Sequence, residues 1–190
     1  MLKKFKFFIL VLFFSTVSFA SYASERWILD KTISTIEFEL PVLFLKNVKG
    51  KFNNIEGFVG LNVKQKENNK AIFSVEINDI DINYIKYKDL LLSNVFFDAL
   101  KFPRAVVDTK KFNYDNQKEI KLNVELTLKD KSQMVPIKIY INKLAEGLVQ
   151  IQSELQFSRT DFGIGQGKWS NTSILKDEVK LKTNLFLFRE

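Results

Sequence analysis

The feature that most constrains the fold is a strict alternation of apolar and polar residues. Residues 120–128 read Ile-Lys-Leu-Asn-Val-Glu-Leu-Thr-Leu, so five apolar residues alternate with four polar ones. A period of two places the apolar side chains of a strand on one face, which is typical of strands with one buried face. The alternation recurs in six further segments: 36–40, 59–63, 73–77, 135–141, 149–157 and 179–187.

The connections between these segments are short and polar. Four of them, 64–70, 114–118, 129–133 and 142–147, are rich in Lys, Asn, Asp, Glu and Gln. Short polar loops between alternating segments are typical of antiparallel hairpins. We therefore predict a single all-β domain over 24–190. About eight successively paired strands would form either a sandwich or a closed up-and-down barrel.

The segment 88–103, KDLLLSNVFFDALKFP, breaks the alternation. Five of its apolar residues have the spacing of one helix face: Leu91, Leu92, Val95, Phe96 and Ala99. Asp89 is placed to cap a helix start, and Pro103 forces the preceding residue into an extended conformation. We predict a short helical insertion at 88–101, which either covers an open end of the barrel or packs on its outside.

The first 23 residues have the signature of a secretory signal peptide. Lys3, Lys4 and Lys6 precede an apolar run at 7–14, and small residues follow it. This run is short for a membrane span, although an uncleaved anchor is the alternative. We predict cleavage after Ala20 or Ala23, export to the periplasm, and a mature form without a stable membrane span.

The composition excludes several kinds of chemistry. The sequence contains no His and no Cys, so it cannot form a thiolate or imidazole metal site, a disulfide, or a Ser-His or Cys-His catalytic pair. We predict no metal site and a protein that is not an enzyme. An enzyme that uses cavity carboxylates is one alternative. The formal charge is +7, of which three charges belong to the signal lysines, and no basic stripe predicts nucleic-acid binding.

Phenylalanine is unusually frequent, with 19 residues in all. One interpretation is a Phe-rich core, and the other is a cavity wall shaped for an apolar ligand. A small outer-membrane barrel would also alternate, with its apolar residues facing outward. The chain ends LFLFRE, with two charges after the last Phe, which does not favour that class.

Several motifs occur in an order that is similar to one family. The opening WILDKTISTIEFEL and the segments VKGKFNNIEGFV, LTLKD and FSRTDFGIG carry the resemblance, together with 88–103. The matching positions are Trp27, Asp30, Ser34, Phe38, Val48, Gly50, Phe52, Ile55, Gly57, Asp89, Leu92, Ser93, Phe96, Phe97, Asp98, Phe102, Pro103, Phe157, Arg159, Asp161, Phe162, Gly163 and Ile164. The mature chain thus resembles the YceI-like family of secreted, lipocalin-like, polyisoprenoid-binding barrels.

The resemblance implies a lipocalin-like barrel that binds an isoprenoid or similar long apolar lipid, for transport or sequestration. It implies no cofactor beyond such a lipid, of which an isoprenoid quinone is one kind, and it leaves a homodimer open. The expected ligand-binding residues are Phe38, Phe52, Phe73, Val75, Phe96, Phe97, Phe102, Phe157 and Phe162. The residues expected to hold the helix and the glycine loop to the barrel are Asp89, Ser93, Arg159, Asp161 and Gly163.

Overall fold

The computed structural model describes residues 24–43, 47–62 and 64–190, so the predicted signal peptide lies outside the described residues. Within these residues the chain forms eleven strand segments and one short α-helix. The strands are β1 (Ser24–Leu29), β2 (Thr35–Leu40), β3 (Val48–Phe52), β4 (Ile55–Asn62), β5 (Lys70–Glu76), β6 (Ile80–Ile82), β7 (Arg104–Asp108), β8 (Glu119–Leu128), β9 (Lys131–Ala145), β10 (Leu148–Ser158) and β11 (Glu178–Arg189).

The strands close into an eight-stranded antiparallel barrel in the order β1-β4-β5-β7-β8-β9-β10-β11. The closing contact joins β1 to β11, with Ile28 opposite Phe188. Three further segments continue the sheet beyond three of these strands: β2 continues β1, β3 continues β4, and β6 continues β5. Accordingly β2 pairs with β11 and with β3, and β3 pairs with β6. The result is a meander of eight strands, three of which are interrupted. The predicted all-β, lipocalin-like barrel is confirmed.

The interruption between β1 and β2 has a local cause in the opening motif. The side chain of Asp30 accepts a hydrogen bond from the Thr32 N–H at 2.8 Å and stabilises a tight turn. The buried Ser34 hydroxyl then accepts a bond from the Phe186 N–H at 2.9 Å. The Ser34 hydroxyl thereby takes the place of a backbone carbonyl at the break, so the Phe186 N–H of β11 keeps a hydrogen-bond partner there.

The outward and inward faces of the strands differ sharply in polarity. On β8, Lys121 and Asn123 are exposed, whereas Val124 and Leu126 are buried. This orientation is apolar inside and polar outside, the opposite of the arrangement that an outer-membrane barrel requires. No helix among the described residues combines the length and the apolar character needed to cross a bilayer.

The hairpins are tighter than the sequence indicates. The predicted loop 129–133 reduces to Lys129 and Asp130, and Lys129 has a positive φ of 58°. The loop 142–147 reduces to Glu146 and Gly147, because β9 continues to Ala145. Both predictions were too long, since polar residues on the outward face of a strand look like loop residues.

The predicted helix at 88–101 is also too long. The α-helix α1 covers only Lys88–Leu92, and Ser93 ends it with an extended conformation and a hydroxyl bond to the Leu90 carbonyl at 2.7 Å. Asp89 is not the cap: the N-cap position is Tyr87, without a side-chain bond, and Asp89 is exposed in the first turn. The chain from 93 to 102 continues as successive turns, with Asp98 at a positive φ of 51°.

Candidate ligand-binding cavity

The interior of the barrel holds a cavity of about 620 Å³ that opens at one end. Its wall consists mainly of aliphatic side chains from the inward faces of the strands. The aliphatic residues of this wall on β8 to β11 are Ile120, Leu122, Val124, Ile137, Ile139, Ile141, Val149, Ile151, Leu155, Leu185 and Leu187. These are the apolar positions of the alternating segments, so the same pattern that forms the barrel also lines it.

Three hydroxyls that face this cavity are paired, whereas the buried indole N–H of Trp27 has no hydrogen-bond partner among the described residues. The hydroxyls of Ser153 and Thr183, on neighbouring strands, are 2.7 Å apart. The Thr109 hydroxyl accepts a hydrogen bond from the Ala71 N–H at 2.8 Å. A paired hydroxyl presents little demand for further hydrogen bonds, so the interior offers a guest mainly apolar contact.

The mouth of the cavity is polar. Arg189 lies between Glu25 and Glu146, with N–O distances of 4.0 Å and 3.3 Å. The rim also includes Lys118 and Lys143. The cavity is therefore amphipathic along its axis, with charged groups at the entrance and hydrocarbon within.

A second, smaller cavity of about 90 Å³ lies at the opposite end of the barrel, where α1 and the following turns cover it. Leu91 of α1 and Phe97 contribute to its wall. The segment is fixed to the glycine loop, since the Val95 carbonyl accepts hydrogen bonds from the N–H groups of Gly165 and Gln166 at 2.9 Å and 3.0 Å. The insertion therefore covers one end of the barrel, which is the first of the two placements considered from the sequence.

The nine residues predicted to contact a ligand fall into two groups. Six of them line the smaller cavity, and one of these six, Phe73, also lines the larger one: Phe38, Phe52, Phe73, Val75, Phe97 and Phe157. The other three lie outside both walls. Phe96 is buried with its ring centroid 5.9 Å from that of Trp169, Phe162 is buried edge-to-face on Phe157, and Phe102 lies beneath the Lys101 ammonium.

The sequence reasoning missed most of the larger cavity's wall. It selected phenylalanines because of their frequency, whereas the wall of the larger cavity is mainly Ile, Leu and Val. The available signal was the strict alternation of β8 to β11, which marks every inward position without regard to residue type.

Arg159 is the most deeply buried charged residue among those described, at 0% exposure. Its guanidinium donates to four backbone carbonyls, of Ile164 at 2.7 Å, Leu175 at 2.8 Å, Lys176 at 3.0 Å and Gly165 at 3.4 Å. It thereby ties the glycine loop to the segment before β11. Asp161, which was also expected to hold the glycine loop, has an exposed side chain, and its backbone carbonyl accepts a hydrogen bond from the Lys131 ammonium.

The remaining motif residues lie beside this network. Ser93 ends α1, and Asp89 is exposed on it. Gly163 adopts a positive φ of 65°, a conformation that favours glycine, and its N–H donates to the Thr160 carbonyl at 2.9 Å. Arg159 and Gly163 are thus brought together at the covered end of the barrel, far from the mouth.

Asp177 is anchored next to Arg159. Burial acts to raise its pKa, but hydrogen bonds from the Ser158 hydroxyl at 2.5 Å and the Thr160 N–H at 3.1 Å outweigh burial and lower it. A carboxyl whose pKa is lower in the folded state stabilises the fold while ionised. That contribution is lost as the pH falls from the unfolded value of about 4 through the folded pKa.

We therefore expect Asp177→Asn to lower the urea midpoint at neutral pH and to flatten its dependence on pH below about 4. Urea unfolding of both proteins across the acid range measures this. If the two proteins lost stability in parallel on acidification, Asp177 would not be a source of the acid sensitivity.

No group of His, Cys, Asp or Glu among the described residues is arranged to hold a metal ion. The carboxylates Glu25 and Glu146 line the larger cavity, and both lie at the rim against the same guanidinium. This places the acidic groups at the entrance, while the deeper wall is apolar.

The sequence profile of the YceI-like domain matches residues 27–187, nearly the whole described chain. This protein belongs to the YceI-like family. The match includes the opening motif at Trp27 and the glycine loop after Arg159, whose structural roles are described above. Among curated proteins none matches this sequence.

Solved structures share the fold of this YceI-like protein at low sequence identity. BcnA from Burkholderia cenocepacia has a TM-score of 0.75 and 21% identity, over 83% of this chain and 98% of its own. A polyisoprenoid binding domain from Saccharophagus degradans has a TM-score of 0.68 and 14% identity, over 86% and 98%. The YceI protein of Campylobacter jejuni has a TM-score of 0.65 and 22% identity, over 79% and 89%.

Proposed function

We propose that this protein binds one isoprenoid or similar long apolar lipid, with the tail inside the barrel and the polar end at the rim. The observation that carries the proposal is the larger cavity, which is hydrocarbon-lined, about 620 Å³ in volume and open at a charged mouth. Ligand sites in proteins commonly measure about 300–1,000 Å³. A cavity with a charged mouth and an apolar interior suits a ligand with a polar end and an apolar tail better than it suits a compact polar metabolite.

The energetics favour a long tail. Burial of each methylene contributes about 0.8 kcal/mol, whereas ordering a flexible chain and losing its free motion costs several kcal/mol in total. A tail of a dozen carbons or so therefore exceeds the cost of binding, and a short one does not. The role of the protein, on this account, is binding without chemistry.

We further propose that the mature protein works in the periplasm, where it carries or sequesters a lipid that cannot cross water alone. The signal-like sequence of 1–23 supports export. A related fold from Saccharophagus degradans is described as a polyisoprenoid binding domain, which supports the ligand class. An isoprenoid quinone fits the same requirement of an apolar tail with a polar end.

The test is a fluorescence titration of the mature protein with geranylgeraniol. Trp27 lines the larger cavity, whereas Trp169 packs on Phe96 at the covered end. In a Trp169→Phe background, the remaining emission reports the cavity wall. We expect saturable quenching or a spectral shift at one prenol per chain. The absence of any saturable change, with no prenol retained on gel filtration, would overturn the proposal.

A further inference from the structure

The two cavities meet at one level of the barrel. Three residues line both of them: Ile36 on β2, Phe73 on β5 and Val107 on β7. On β5, the shared Phe73 lies between Ala71, which lines the larger cavity, and Val75, which lines the smaller one. Val107 likewise lies between Ala105, which lines the smaller cavity, and Thr109, which lines the larger one just after β7. The shared residues therefore form a partition across the lumen, and Phe73 has the largest side chain of the three.

The ring of Phe73 is held in place by the glycine opposite it. Gly57 on β4 pairs directly with Phe73 on β5. A Cβ atom at Gly57 would lie 2.2 Å from Cδ1 of Phe73, well inside contact distance. The ring therefore lies flat over the glycine backbone, where no other residue type leaves room for it.

The chain repeats this arrangement nearer to the covered end. Gly50 on β3 pairs with Phe38 on β2, and a Cβ at Gly50 would lie 2.4 Å from Cε1 of Phe38. Phe38 lines the smaller cavity and does not line the larger one. The two Phe-Gly pairs are alike in local geometry and differ in their position relative to the partition.

We propose that Phe73 determines the length of the lipid tail by closing the inner end of the larger cavity. This inference rests on the proposed function and deepens it. A tail that fills the larger cavity meets the Phe73 ring, and carbons beyond that depth gain no burial. Removal of the ring would join the larger cavity to the 90 Å³ space beneath α1 and lengthen the apolar channel.

The test compares solanesol, which has a long tail, with geranylgeraniol, which has a shorter one, by competition for the wild type and for Phe73→Ala. We expect Phe73→Ala to shift the affinity ratio towards solanesol by at least about tenfold, since burial of two further methylenes suffices for that change. Phe38→Ala is the matched control, and its ratio should stay close to that of the wild type.

Gly57→Ala provides the opposite change. The added methyl would lie 2.2 Å from the Phe73 ring and 2.7 Å from the Ile72 carbonyl, so the ring must move from β4 towards the lumen and the backbone of β5 must shift slightly. We therefore expect a shift towards the shorter geranylgeraniol. Circular dichroism verifies that each variant is folded. Wild type that binds both prenols, with the same ratio in all folded variants, would overturn the partition and leave the proposed function intact. Wild type that binds neither prenol would overturn the proposed function itself.

Discussion

Replacement of Arg159 by methionine is expected to lower the free energy of unfolding by about 3 kcal/mol or more. Methionine fills a similar volume but donates no hydrogen bond. The carbonyls of Ile164, Leu175 and Lys176 would then lose their buried donor, and each unsatisfied group costs about 1–3 kcal/mol. Arg159→Lys should recover only part of the loss, because a single ammonium cannot donate to all of the carbonyls that the larger, planar guanidinium reaches.

Arg104→Met is the matched control for this experiment. Arg104 forms an ion pair with Glu76 at 2.5 Å, and more than half of its side chain is exposed. Exposed pairs of this kind contribute at most about 1 kcal/mol. Urea unfolding followed by circular dichroism measures both variants. Equal, small effects of the two substitutions would show that the buried arginine does not stabilise the covered end of the barrel.

The second large effect concerns the ligand. Substitution of Ile151 by tryptophan should reduce the affinity for geranylgeraniol by at least about tenfold, because displacement of two methylenes from the wall costs that much. Ile151 lies on the inward face of β10 and lines the larger cavity, so the indole would fill part of the volume in which we propose that the lipid tail binds. Competition against a fluorescent prenol analogue measures the change.

Gln152→Trp carries the same substitution one position along the same strand. Gln152 is exposed on the outward face of β10, because successive side chains of a strand point to opposite faces. It should bind prenol as the wild type does, with a similar urea midpoint in both variants as the check on folding. Equal affinities of the two folded variants for prenol would contradict a ligand inside the barrel.

Much of the barrel could be predicted from the sequence because its strands are each buried on one face. The alternation of 120–128 and 179–187 predicts β8 and β11 and, with them, the inward residues Leu122, Val124 and Leu185. Periodicity reports the environment of each side chain directly, so it succeeds where one face meets hydrocarbon and the other meets water.

The interruptions and the covered end could not be predicted in the same way. The turn after β1 is local, but the bond by which the Ser34 hydroxyl satisfies the Phe186 N–H beside it joins residues that are remote in sequence. The helix α1 ends at Ser93, although apolar residues continue at helical spacing after it. The backbone N–H groups of the following turns are bonded to carbonyls of the same segment, so a continued helix is not needed to satisfy them. Arg159 donates to backbone carbonyls rather than to a carboxylate, and no pattern in the neighbouring sequence indicates which of these two kinds of acceptor an arginine will have.

The absence of a cofactor other than lipid and cleavage after Ala20 or Ala23 stay predictions, and the sequence leaves open whether the protein forms a homodimer. Analytical ultracentrifugation of the mature protein reports the oligomeric state, and the intact mass of the exported chain reports the cleavage site. Neither result bears on the proposal that the lumen of the barrel binds the ligand.

The most direct test of the central claim is native mass spectrometry of the mature protein, purified under mild conditions from a bacterial periplasm. A second portion of the same protein is extracted with organic solvent to identify any bound lipid. The account predicts one apolar lipid per chain, identified in the extract as an isoprenoid or similar long-chain lipid, retained by Gln152→Trp and lost from Ile151→Trp. Only the ligand-free mass, together with no uptake of added geranylgeraniol by the folded protein, would contradict it.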